Sequence, residues 1–334
     1  MSNLCLQYRP KCWAEVIGQN TVVSILSRQA ATKKWKNSYL FCGPHGCGKT
    51  TVARLFADNI NEGNGFPIEI DAASNNGVDN IRQLIMDAQQ SSLDCDYKVY
   101  IIDECHQLTK AAWDAALKLI EEPPSGVVFI FCTTNPNKLP GTILSRVQRF
   151  DFKRVPYKVI SGRLAYILNT SSDIQYSQVA LDRIAIVADG HVRDAIQLLD
   201  KCIDSLIDDE DLTLFKVEEV LGLSNFESLI KLTNDVIDNN LESAISTFNY
   251  IKSSTCDVIR LYDDLLKYVL DCTLLSDCHI SLTNIPSDFS SRIKVNKEVT
   301  NLFLTRLIFF RKNVDSTNAE SIIKTILIEL CGRA

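Results

Sequence analysis

The chain has 334 residues, 46% of them hydrophobic and 23% charged, a globular composition that excludes extended disorder and leaves room for two or three domains. Net charge is -6, which argues against a wholly basic nucleic-acid coat. Residues 1–153 carry 16 Lys+Arg against 15 Asp+Glu, and residues 154–334 carry 19 against 26, so contact with nucleic acid falls to a local surface of the first part.

Strand and helix signals alternate through that first part. Short apolar runs at Tyr39–Cys42, Ile68–Asp71, Val99–Asp103, Val127–Thr133 and Phe150–Phe152 predict buried parallel strands. Helices are expected between them at about 49–61, 78–91, 109–121 and 140–145, giving an α/β doubly wound sheet. Eight of nine Pro and nine of 13 Gly lie within residues 1–156, as many strand-to-helix turns require. Beyond Pro156 helical periodicity takes over: Val159, Leu164, Ile167, Leu168; then Val179, Leu181, Ile184, Val187; then Ile196, Leu198, Leu199, Ile203. The acidic run Asp208-Asp209-Glu210-Asp211 reads as a solvated turn before a short helix from Phe215 to Leu221, which Gly222 ends. From Phe226 come four or five longer amphipathic helices with a break near Pro286. The last, about Ser316 to Leu330, places Ile322, Ile323, Ile326, Leu327 and Leu330 on one face.

No apolar run reaches the ~18 residues of a membrane span, and the amino terminus carries no leader pattern. The twelve cysteines include no C-x-x-C pair, so they read as reduced thiols of an intracellular protein. Cys272, Cys278 and His279 approach metal spacing, but core or surface use is the expected reading.

Gly43-Pro44-His45-Gly46-Cys47-Gly48-Lys49-Thr50 matches G-x-x-x-x-G-K-[ST] between a predicted strand and a predicted helix. Its N–H groups would wrap a phosphate, Lys49 would reach the β- and γ-phosphates, and the Thr50 hydroxyl would ligate Mg²⁺. The strand Val99–Ile102 delivers Asp103 and Glu104 to the sheet edge where open α/β sheets bind ligands. There Asp103 suits the Mg²⁺ shell, and Glu104 suits activation of the attacking water. A transferring γ-phosphoryl group also needs positive charge on its far side, for which Arg146 and Arg193 are candidates.

These motifs resemble the gamma/tau subunits of the bacterial DNA polymerase III clamp loader, which are AAA+ ATPases. The likeness runs along Tyr8-Arg9-Pro10, Val16-Ile17-Gly18-Gln19, the phosphate loop, Ile68 to Asp79, Asp103-Glu104-Cys105-His106, Leu117 to Pro124, Thr133-Thr134-Asn135-Pro136, Lys138-Leu139-Pro140, Leu144-Ser145-Arg146 and Gly190 to Leu199.

The resemblance implies a P-loop AAA+ domain over 1–153, a helical lid over 154–222 and an all-α collar over 223–334. It implies that Tyr8, Arg9, Pro10, Ile17 and Gly18 flank adenine and that Gly46, Cys47, Gly48, Lys49, Thr50 and Thr51 hold the phosphates. Thr134 would be sensor 1, Arg146 an arginine finger reaching a neighbouring subunit's ATP, and Arg193 the sensor-2 arginine. ATP and Mg²⁺ are the implied cofactors. The implied partners are other clamp-loader subunits in a pentamer holding more than one copy of this chain, a sliding clamp and primer-template DNA. Ser74-Asn75-Asn76-Gly77 with Arg82 would either contact the DNA backbone or simply cap a helix. No membrane partner is expected, and the location is the cytoplasm.

Three departures stand out. Asn61–Pro67 replaces the family's four-cysteine zinc module, so no zinc is expected. Val147 takes the place of a cysteine. The chain ends at Ala334, without a tau-type extension, as a compact phage-encoded or unusual bacterial member would. Two other readings share the motifs: a non-hydrolysing structural subunit of the loader, and another AAA+ DNA motor such as a branch-migration ATPase.

Overall fold

Between residues 38 and 151, five runs become one parallel sheet: β1 (Ser38–Cys42), β2 (Ile68–Asp71), β3 (Lys98–Asp103), β4 (Val127–Thr133) and β5 (Gln148–Asp151). Their order is β2-β3-β4-β1-β5. β1 and β4 are buried along their whole length, as central strands covered on both faces must be. The computed structural model describes residues 4–90, 96–171, 173–207, 210–254, 257–278, 292–294 and 296–332. The chain divides into two units, Met1–Arg163 with Ala188–Gln197, and Leu164–Val187 with Leu198–Ala334.

In the first unit, helices α1 (Leu4–Gln7) and α2 (Asn20–Ala31) precede the sheet. The crossovers are α3 (Lys49–Ile60), α4 (Val78–Gln89), α5 (Lys110–Glu121) and the short α6 (Gly141–Leu144). Side chains of successive strand residues point to opposite faces, so β1, β3 and β4 each feed two cores. Tyr39, Phe41, Ile101 and Ile130 pack with Val52 and Phe56 of α3 and Leu26 of α2. Leu40, Ile102, Phe129 and Phe131 pack with Ile81 and Leu84 of α4 and Trp113 of α5.

Two local readings change. β5 runs over Gln148–Asp151 rather than 150–152; Phe152 lies just past it, buried, donating its N–H to Cys42 O at 2.7 Å. α2 was not anticipated, because only Val22 and Leu26 of its residues are buried and so narrow a stripe gives little periodicity.

The second unit is helical. It comprises the later part of α7 (Tyr157–Ser171), all of α8 (Gln178–Val187), the end of α9 (Val192–Asp204), α10 (Leu214–Leu221), α11 (Phe226–Ile237), α12 (Leu241–Ser254), α13 (Val258–Cys278), α14 (Lys297–Phe310) and α15 (Ala319–Cys331). Gly222 closes α10 in the left-handed region at φ 60°. In α7 the exposed Val159 yields its expected core place to Ile160. α15 starts at Ala319, and Ile323, Ile326, Leu327 and Leu330 are buried while Ile322 packs partly buried against them. The helical core also holds Phe248, Tyr262, Leu265 and Phe303. Cys272 is buried there, and burial pushes its thiol up to about 12. Asp208, Asp209, His279 and the break near Pro286 lie outside the described residues. Among the described residues, no helix is long and apolar enough to cross a membrane.

Candidate nucleotide site

The phosphate loop leaves β1 at Cys42 and is pinned at once, Gly43 N–H donating to Thr133 O at 3.1 Å. A side chain at Gly43 would meet Phe152 O at 2.4 Å, and Gly48 sits at φ 100° with open space where a Cβ would be. Backbone there is free to approach a ligand. Gln19, 4% exposed, braces the loop: its amide donates to Cys47 O at 3.4 Å and Lys153 O at 2.7 Å.

Lys49 opens α3 and is 6% exposed. Its ammonium donates to Gly43 O at 2.9 Å and Pro44 O at 2.8 Å, and among the described residues no carboxylate pairs with it. A buried cation satisfied only by carbonyls fits an anion from outside. The Thr50 hydroxyl donates to Asp103 Oδ2 at 2.7 Å, which gathers two oxygens of the hard kind Mg²⁺ prefers. Burial raises the Cys47 thiol's pKa and favours its neutral form.

β3 ends on Asp103, and Glu104 turns into the left-handed region at φ 45°, ψ 41°. Its Oε2 accepts the Thr134 hydroxyl at 3.0 Å and lies 3.2 Å from His106 Nδ1. His106 also meets Thr133 Oγ1 at 3.1 Å and, through Nε2, the Gln107 amide at 3.2 Å. With that amide donating, Nδ1 carries the hydrogen and donates to Thr133 Oγ1, which holds the ring 3.2 Å from Glu104. The sequence placed Thr134 beside the chemistry but assigned His106 no role; the short Asp103–His106 spacing was its only signal.

The cleft of about 250 Å³ is lined by Tyr8, Arg9, Pro10 and Ile17 on one side and by Gly46–Thr51, Asp103 and Glu104 on another; Arg193 of α9 closes it. Gly18 supports this wall from behind, packing on Val155. Arg163 donates to Tyr8 O at 3.0 Å and holds the amino-terminal segment. Arg193 N–H donates to Gly46 O at 3.3 Å, joining helix to loop. Thr134 reaches the cleft only through Glu104. Arg146 does not line the cleft; it pairs with Glu121 at 2.7 Å and donates to Thr142 O at 2.8 Å. In the Ser74–Gly77 turn, Asp71 accepts from Ala73 N–H and the Ser74 hydroxyl, and α4 has Gly77 as its cap residue without a side-chain bond. The asparagines there do not cap that helix.

Residues 66–156 match the protein family described as "DNA polymerase III, delta subunit". The chain is 38% identical over 291 residues to DNA polymerase III subunit tau of Bacillus subtilis, covering 80% of this chain and 51% of that protein. With subunit tau of Escherichia coli the figures are 34%, 74% and 41%. It thus spans about half the length of these relatives. With DNA polymerase III subunit gamma of Buchnera aphidicola (Acyrthosiphon pisum) it is 30% identical, covering 80% of this chain and 79% of that protein. The RuvB Holliday junction branch migration motor of Thermotoga maritima superposes with a TM-score of 0.55 at 20% identity, covering 72% of this chain and 85% of that one. That likeness is one of fold, a parallel sheet covered by helices. Agreement with a gamma subunit along nearly four-fifths of both chains, together with the loop and carboxylate pair at the sheet edge, places this protein in the gamma/tau family of DNA polymerase III subunits.

Proposed function

We propose that the chain is an ATP-hydrolysing motor subunit of a clamp loader, opening a sliding clamp and placing it on primer-template DNA. The observation that carries this is the buried Lys49 ammonium, held by loop carbonyls without a carboxylate, beside the joined Thr50–Asp103 pair. Lys49, the loop N–H groups of Gly46 to Thr51, and Arg193 hold the triphosphate; Tyr8, Arg9, Pro10, Ile17 and Gly18 hold the adenine. Thr50 and Asp103 would hold Mg²⁺, which would supply charge neutralisation at the phosphate oxygens. Glu104 orients the attacking water, Thr134 and His106 fix that carboxylate, and Arg146 exchanges Glu121 for the nucleotide of a neighbouring subunit.

The division into an ATPase domain over 1–153, a lid over 154–222 and a collar over 223–334 belongs to the same reading. So do a pentameric assembly with other loader subunits and a cytoplasmic location.

The test is clamp loading by the reconstituted complex. Lys49→Ala is expected to weaken nucleotide binding by a factor on the order of 10² or more, through loss of a charge-assisted contact in a dry site. Arg146→Ala should leave binding intact and abolish loading. Wild-type loading by either variant overturns the reading, and absence of ATPase activity with clamp and DNA favours a structural subunit.

A further inference from the structure

Two histidines from distant segments meet beside the phosphate loop. His45, in the loop, stacks on His191 with ring centroids 4.1 Å apart and planes 23° from parallel. His45 Nε2 is 3.3 Å and His191 Nδ1 is 3.8 Å from the same oxygen, Oδ2 of Asp194. One nitrogen of each ring and this oxygen all lie within 4.8 Å of one another. His191 and Asp194 flank the start of α9, and His191 is buried while the His45 side chain is 66% exposed.

We propose that His45, His191 and Asp194 form a three-ligand site for a borderline transition-metal dication, with Zn²⁺ the first choice, tying the phosphate loop to α9. Ligand atoms ~2.0–2.1 Å from a tetrahedral ion lie about 3.3 Å apart; the two nitrogen–oxygen separations here are 3.3 and 3.8 Å, and all three ligand atoms lie within 4.8 Å. Two imidazole nitrogens select Zn²⁺ or its neighbours over Mg²⁺, which prefers oxygen. The scaffold is preorganised: Gly46 O already accepts the Arg193 N–H, and a Cβ added at Gly46 would lie 3.2 Å from His191 Cβ. Metal entry needs one adjustment, rotation of the exposed His45 ring out of the stack, with buried His191 as the fixed ligand. Lys49, Arg193 and the positive end of α9 oppose a cation; the Asp194 charge and two coordinate bonds outweigh them. No cysteine takes part, so the site is independent of the cysteine module expected to be missing.

The experiment titrates the full chain, free of nucleotide, with Zn²⁺ against a chromophoric chelator, then with Co²⁺ for its spectrum. One equivalent is expected to bind tenfold or more weakly in His45→Gln, His191→Gln and Asp194→Asn. Its Co²⁺ complex should show ligand-field bands without thiolate charge transfer. Unchanged affinity in His45→Gln, or a thiolate band from the tightest equivalent, overturns the proposal. His45 is exposed, so this variant decides even if His191→Gln fails to fold. Because no nucleotide is present, the result stands apart from the ATPase reading.

Discussion

Each unit of the molecule buries a cation, and the two are treated in opposite ways. In the helical unit Arg183, 8% exposed, faces Glu218, 3% exposed, with Nε 3.7 Å from Oε1. The guanidinium also donates to Ser224 O at 3.4 Å and lies 5.5 Å from the Phe226 ring centre. The carboxylate accepts Phe226 N–H at 3.1 Å. In the α/β unit Lys49 is as deeply buried yet receives only carbonyl oxygens. A buried charge costs several kcal/mol unless compensated. Where compensation is internal the cation is part of the architecture; where it is incomplete, the missing anion is the ligand. Burial alone does not mark a site.

The sharpest way to break this contrast lies in the helical unit. Glu218→Ala strips every carboxyl oxygen from an arginine that cannot lose its proton and from the Phe226 N–H, and should cost about 3–5 kcal/mol in urea unfolding. Arg183→Met should cost less, because Glu218 can take up a proton: burial has already pushed its pKa up to about 7, against the pull of Arg183. The sign follows: a folded-state value above the unfolded ~4.5 means this group's contribution to stability declines as pH rises from about 4.5 through about 7. The double variant should recover much of the loss. Equal costs for the two single variants would contradict the asymmetry.

Smaller effects are expected in the α/β unit. His106→Ala should lower kcat about tenfold without raising KM for ATP, since it acts on Glu104 rather than on nucleotide, and His106→Gln should restore much of it. A rise in KM alone would remove its positioning role. Smallest of all, Lys49→Met should change unfolding stability by no more than about 1 kcal/mol, because it relieves an incompletely compensated buried charge. A loss as large as that of Glu218→Ala would place Lys49 among the architectural cations.

The nucleotide site was legible because its key groups are consecutive in the chain: Gly43 to Thr50 make the loop, and Asp103-Glu104 end a strand whose four preceding residues are all apolar. Side chains meeting across distant segments were not. His45 and His191 share no spacing rule, and Gln19 reads as an ordinary polar residue until Cys47 and Lys153 are seen beside it. The bound on β5 slipped because Arg149 and Asp151 alternate with buried Phe150, an edge pattern weaker than the all-apolar β4. Arg183 and Glu218 were invisible as a pair, since 34 residues intervene between them in the chain and no charge pattern links their helices.

Strand order also governs when recognition can arise during synthesis. β1 has β4 and β5 as its only neighbours in the sheet, and Gly43 is pinned by Thr133. A nascent chain therefore carries the entire phosphate-loop motif while the strand beneath it is still solitary. Closing that gap of about 85 residues costs on the order of 4 kcal/mol in chain entropy, returned only when the ladder zips. A ribosome halted before Thr133 would hold a polypeptide with the right letters and no assembled phosphate loop.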